Sequence, residues 1–205
     1  PFLLKEISVP VYGTSFTLGV VKHKLEEHDL LANARLREIS PDRSVRIGDF
    51  ELDFIRVGHS VVEGIALAIR TPYGVIVHTG DFKINNSPNE GVLTDVGKFA
   101  AYGRRGVLML LSDSTNVERT GTTIPDTEIG NTLLQIATQC PGRIIISLFA
   151  SNVGRIRQIT RIAEKCGRKV LFNGKSIDVS VNIAKELGHI KLPPGMEIDL
   201  SEIDH

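Results

Sequence analysis

Between Ala34 and Phe82 apolar and polar residues alternate with period two, and this rhythm narrows the possible folds more than any other feature of the chain. Arg35, Arg37, Ser44, Arg46, Glu51, Asp53 and Arg56 alternate with Leu36, Ile39, Val45, Ile47, Phe50, Leu52, Phe54, Ile55 and Val57, and Gly48-Asp49 supplies a hairpin turn. Two more strands, Gly64 to Arg70 and Gly74 to His78, are expected on either side of Thr71-Pro72-Tyr73-Gly74. The pattern predicts a mostly antiparallel sheet with one buried face. It sets Gly58-His59-Ser60 at the end of one strand and Gly80-Asp81-Phe82 at the end of another.

Elements on either side follow a different rhythm. Val9 to Tyr12 reads as a short strand, and Ser15 is expected to cap a helix running to about His28. From Thr94 the period returns to 3.6. A helix around Asp95 to Tyr102 precedes a strand, Gly106 to Leu111. Beyond a polar crossing, Val117 to Thr123, helices at 127–138, 152–166 and 177–187 alternate with strands at Arg143 to Phe149 and Lys169 to Phe172. Strands alternating with helices argue a parallel, doubly wound sheet. The expected fold class is therefore α/β (α+β), with an antiparallel part over residues 1–117 and a doubly wound part over 118–205.

The 24 Lys and Arg residues balance the 24 Asp and Glu residues, so net charge gives no argument for a nucleic-acid partner, although local patches can still form. Cys140 and Cys166 form no CxxC pair and fit a reducing compartment. No apolar run approaches the roughly 18 residues of a membrane span. A cytoplasmic location, away from membranes, is expected. Pro1 to Ile7 already reads as helix and Asp204-His205 closes without a terminating pattern, so the chain reads as a piece of a longer protein.

Three strand ends carry polar clusters: Gly58-His59-Ser60, Gly80-Asp81-Phe82 and Ser112-Asp113-Ser114-Thr115. A hydrolytic metal site needs imidazole nitrogens and carboxylate oxygens converging from several such ends. His59 and Asp81 are suitable ligands, and Asp113 is suited to orienting a bound group or accepting its proton. The residues alone equally allow His59 as a hydrogen-bonded core histidine, Asp81 as a turn residue and Asp113 as a loop cap.

The wording of the motifs adds a resemblance. Gly58-His-Ser-Val-Val-Glu-Gly64, Val77-His-Thr-Gly-Asp-Phe-Lys83, Leu110-Leu-Ser-Asp-Ser-Thr-Asn116, and Phe149-Ala-Ser-Asn152 with Gly167-Arg-Lys-Val170 resemble, in order and spacing, the ribonuclease J family. That family is a β-CASP member of the metallo-β-lactamase superfamily, and the likeness runs over essentially the whole chain. The resemblance implies a partial metallo-β-lactamase αββα sandwich over 1–117 and part of a β-CASP domain over 118–205. It also implies hydrolysis of RNA phosphodiesters with two zinc ions, RNA as the partner, and a homo-oligomer in the full-length protein.

Carried over by motif, His59 would be a histidine metal ligand, Asp81 a bridging carboxylate, and Asp113 the first acidic motif of the β-CASP set. His78 would support Asp81 from behind, or serve as a core histidine. Manganese suits the same donors as zinc. In the second half Ser151 and Asn152 open a helix that carries Arg155 and Arg157, and Ser176 opens another. Exposed amides at helix starts, with arginines nearby, suit RNA phosphate, although ordinary helix caps would look the same. The family's main ligand signature, His-x-His-x-Asp-His, is absent from the sequence. The piece alone is therefore expected to be inactive and to retain no zinc. A non-catalytic RNA-binding or assembly relative with the same fold is the alternative.

Overall fold

In the computed structural model, which describes residues 2–84, 93–121 and 123–203, most of the alternating region joins the later strand β7 (Met109–Leu111) in a five-stranded sheet, in the order β3 (Val45–Ile47), β4 (Phe50–Arg56), β5 (Ile65–Thr71), β6 (Gly74–His78) and β7. Strands β3, β4, β5 and β6 run antiparallel in turn. Gly48-Asp49 and Pro72-Tyr73 are the two-residue turns, and Gly48 takes the positive φ of 60° that such a turn requires. Opposed residues share a face, so Ile55 and Val57 of β4 and its end, Ala66 and Ala68 of β5, and Val75 and Val77 of β6 form one apolar surface. Helix α3 (Val96–Arg105) covers that surface with Phe99 and Tyr102. Ala66 and Ala68 lie beneath it and are fully buried, their small side chains leaving room for the two rings.

Towards the far end of the same face the sheet carries Glu51, Asp53 and Arg70, and α3 meets them with polar groups. The Tyr102 hydroxyl donates to Asp53 at 2.5 Å, and Lys98 Nζ donates to Asp53 at 2.9 Å and to the Phe54 carbonyl at 2.7 Å. Burial pushes the Asp53 carboxyl upward, and the hydrogen bonds from Tyr102 and Lys98 outweigh it, leaving Asp53 below its usual value. A carboxyl depressed on folding adds stability above its unfolded pKa and loses it as the pH falls through its folded one. Unfolding free energy is therefore expected to drop below about pH 4. In denaturant titrations Asp53→Asn should be less stable than the wild type at neutral pH and should lose less on acidification.

Several elements differ from the expectation. Strand β2 (Arg35–Glu38) does not join the antiparallel sheet; it pairs in parallel with β1 (Pro10–Gly13) in a separate two-stranded sheet, with helix α2 (Ser15–Glu26) between them in the chain. Ser15 is the first helical residue rather than the cap. Its hydroxyl bonds to Glu38, and the helix start is served by Glu63, which accepts from the Phe16 N–H at 2.8 Å across 47 residues. Strand β7 (Met109–Leu111) belongs to the first sheet and pairs in parallel with β6, so that sheet ends on a parallel edge strand.

The chain divides into two compact units, residues 1–122 and 123–205. In the second unit, α4 (Asp126–Gln139), α5 (Val153–Lys165) and α6 (Lys175–Glu186) form as expected. Helix α5 buries Val153, Ile156, Thr160 and Ala163 along one stripe. The helices therefore support the mixed α/β class, but the expected strands are missing among the described residues. Residues 143–149 form no ladder, and residues 169–172 contribute one parallel bridge, Val170 to Glu197. A strand needs a neighbour to take its N–H and C=O groups. Residues 143–149 have no such neighbour among the described residues, and Ile145 and Phe149 stand 95% and 84% exposed.

Candidate functional site

Strands β6 and β7 run side by side in parallel, so their carboxyl ends deliver two loops to the same edge of the sheet. His78, the last residue of β6, accepts from the Gly80 N–H through Nδ1 at 3.0 Å, and Asp81 follows directly. The turn requires glycine. Gly80 has φ +58°, and a Cβ there would stand 2.7 Å from the Ile65 carbonyl oxygen. From β7 the chain passes through Ser112 to Asp113. His78, Asp81 and Asp113 line one open depression of about 470 Å³, together with Gly80, Leu110, Leu111 and Ser112.

Asp113 is held from several directions. Its carboxylate accepts from the Thr115 N–H at 2.8 Å, and its own N–H donates to Thr79 Oγ1 at 2.9 Å. The Thr115 amide and hydroxyl, then the Phe82 amide and the nearby His59, keep its carboxyl below the usual range. A carboxylate kept charged in this way is better suited to orienting a bound group than to taking its proton near neutral pH.

His59 leaves the end of β4 in a loop pinned at several points. The Val57 N–H donates to the Gly64 carbonyl at 3.0 Å, the Lys83 N–H to the Gly58 carbonyl at 2.7 Å, and the Gly58 N–H to Thr94 Oγ1 at 2.9 Å. Glu63, at the far end of the loop, holds the start of α2. His59 lies near enough to Asp113 to act on its carboxyl but does not line the depression, which Asp81 and Asp113 enter from β6 and β7. Among the described residues, however, no three His, Cys, Asp or Glu side chains converge closely enough to hold a metal ion. A catalytic zinc takes three protein ligands, so the described donors do not by themselves fit such an ion.

The phosphate-binding candidates lie in the second unit. Asn152 caps α5 by accepting from the Arg155 N–H at 3.0 Å, and Ser151 is exposed beside it. The Arg155 guanidinium is engaged within the fold, donating to Asp126 at 2.8 Å and to Gln158. Ser176 is exposed in the first turn of α6, after Gly174 at φ +129°. No motif in the sequence singles out Thr79. Its signal was the alternation itself, since position 79 follows 75 and 77 onto the core face.

Comparison with known proteins defines the class first. Residues 141–205 match the family described as "Ribonuclease J, beta-CASP domain". Over 94% of its length the chain is 44% identical to ribonuclease J of Thermus thermophilus, spanning 35% of that protein. It is 38% identical to ribonuclease J of Helicobacter pylori over 99% of its length, spanning 30% of that relative. Against ribonuclease J 1 of Streptococcus pyogenes it is 39% identical over 99%, spanning 36%. The chain is similar to ribonuclease J along nearly its whole length, with its last 65 residues matching the β-CASP domain of that family, and it covers about a third of the length of these relatives. A solved protein from Enterococcus faecalis shares the fold at a TM-score of 0.66 and 17% identity, covering 95% of this chain and 50% of that one.

Proposed function

We propose that this chain forms part of a metal-dependent ribonuclease that hydrolyses RNA phosphodiester bonds. The observation that carries the reading is the gathering of His78, Asp81 and Asp113 in one depression, beside His59, in a chain similar to ribonuclease J along nearly its whole length. Residues 1–117 are read as a partial metallo-β-lactamase domain and 118–205 as a partial β-CASP domain. His59 and Asp81 would supply two of the ligands for zinc or manganese, with Asp81 as the bridging carboxylate. The remaining donors would have to come from outside the described residues. The chain alone is therefore taken to be inactive.

Asp113 would stay ionised and orient the attacking water or the substrate, while His78 stiffens the turn that presents Asp81. Ser151, Asn152 and Ser176 offer hydroxyl, amide and helix-start groups for RNA phosphates. Arg155 would add charge near them while remaining tied to Asp126. Among the described residues no helix is long and apolar enough to cross a membrane. A cytoplasmic homo-oligomer is the proposed working form.

The full-length protein that contains this chain is expected to cleave single-stranded RNA, to stop after treatment with a chelator, and to recover when zinc or manganese is returned. Product release from end-labelled RNA measures this. RNA binding with no cleavage under any metal would favour the non-catalytic RNA-binding or assembly reading instead.

A further inference from the structure

We propose that Thr79 is a positioning residue whose buried hydroxyl clasps the loop carrying Asp81 to the loop carrying Asp113. The inference rests on the reading above, in which those two carboxylates work at one site.

Thr79 is 5% exposed and continues the core face of β6 beyond Val75 and Val77. Its N–H donates to the Leu111 carbonyl at 2.9 Å, adding one rung beyond the paired residues of β6 and β7. That rung sets the register of the two strands but does not reach Asp113, two residues further on. The side chain does. Thr79 Oγ1 accepts from the Asp113 N–H at 2.9 Å and donates to the Gly80 carbonyl at 2.8 Å. A hydroxyl carries one proton and two lone pairs, so it can fill both roles at once.

Each bond acts next to a candidate carboxylate. The Gly80 carbonyl belongs to the peptide that leads into Asp81, in a turn already confined by the close Ile65 carbonyl. The Asp113 N–H belongs to the residue itself. One buried oxygen therefore ties both loops to the same point of the core. An error of about 1 Å in a positioned group can cost on the order of a hundredfold in rate, so a clasp of this kind has a function beyond stability.

Thr79→Val keeps the shape of the side chain and removes both hydroxyl bonds, whereas Thr79→Ser keeps them. In hydrogen exchange on the full-length protein, the Asp113 amide is expected to exchange about tenfold faster in Thr79→Val than in the wild type or Thr79→Ser. Ala66 and Ala68, in the middle of the sheet, should keep their protection. In the full-length protein, kcat for RNA cleavage should fall about tenfold with KM unchanged in Thr79→Val and return in Thr79→Ser.

The proposal is overturned if Asp113 exchange is unchanged in Thr79→Val, or if Ala66 and Ala68 lose protection equally, since the threonine would then only stabilise the fold. If Thr79→Val does not fold, Thr79→Ala is read in the same way, and loss of Asp113 protection in Thr79→Ser overturns the proposal by itself. If the variants show this exchange pattern while the full-length wild type cleaves no RNA, the ribonuclease reading falls and the clasp stands.

Discussion

Gly80→Ala is expected to destabilise the first unit by about 2–4 kcal/mol and to displace Asp81 with it. Two costs combine. At φ +58° a residue with a Cβ is in the left-handed region, which costs roughly 1–2 kcal/mol. The added carbon would also lie 2.7 Å from the Ile65 carbonyl oxygen, far inside contact distance. Ile65 cannot easily retreat, because it is paired with Arg56 at the start of β5 and followed by the fully buried Ala66. The turn has to move instead, and Asp81 moves with it. Urea unfolding followed by circular dichroism should show a clear fall in midpoint, and an unchanged midpoint would mean that the turn is looser than described.

The second large effect is on chemistry. Asp81→Asn in the full-length protein is expected to lower RNA cleavage by about 10²–10³-fold or more, the scale seen when one group that stabilises a transition state is removed. Stability should change by less than about 0.5 kcal/mol, because Asp81 is exposed and the substitution preserves its shape. The two substitutions therefore separate position from charge. At Gly80 activity and stability fall together; at Asp81 activity falls alone.

Much of the fold could be read from the sequence where the determinants were local. The hairpins β3-β4 and β5-β6 follow from alternation interrupted by two-residue turns, and α5 from Asn152 before a stripe of apolar residues. The polar strand ends after β4 and β6 follow from the same alternation, because it decides where each strand stops, and the third follows the apolar run Gly106 to Leu111. What escaped was decided at long range. Arg35 and Arg37 alternate with apolar neighbours as well in a parallel pair with β1 as in an antiparallel sheet, so period two alone could not assign β2. Nothing near Ser15 reveals that Glu63 would serve the helix start. Strand β7 has apolar residues at every position, so its parallel pairing with β6 leaves no mark in the alternation. Residues 143–149 have the composition of a strand, but a ladder also needs a neighbour, and no stretch of sequence shows whether one will be present.

The candidate site shows the same division. His59, Asp81 and Asp113 stand out as candidates from their motifs, because a carboxylate or imidazole at a strand end is a local pattern. The hydroxyl of Thr79 reads locally as one more small polar residue in a turn. Its bond to Asp113 spans 34 residues and exists only once β6 and β7 lie together.

The most direct test is the rate of RNA cleavage by the full-length protein carrying Asp81→Asn, measured under single-turnover conditions beside the wild type, with folding of both verified by their unfolding midpoints. The expected rate is lower by about 10²–10³-fold or more at an unchanged midpoint. Cleavage at the wild-type rate by a folded Asp81→Asn protein would contradict it and remove the β6 strand end from the reaction.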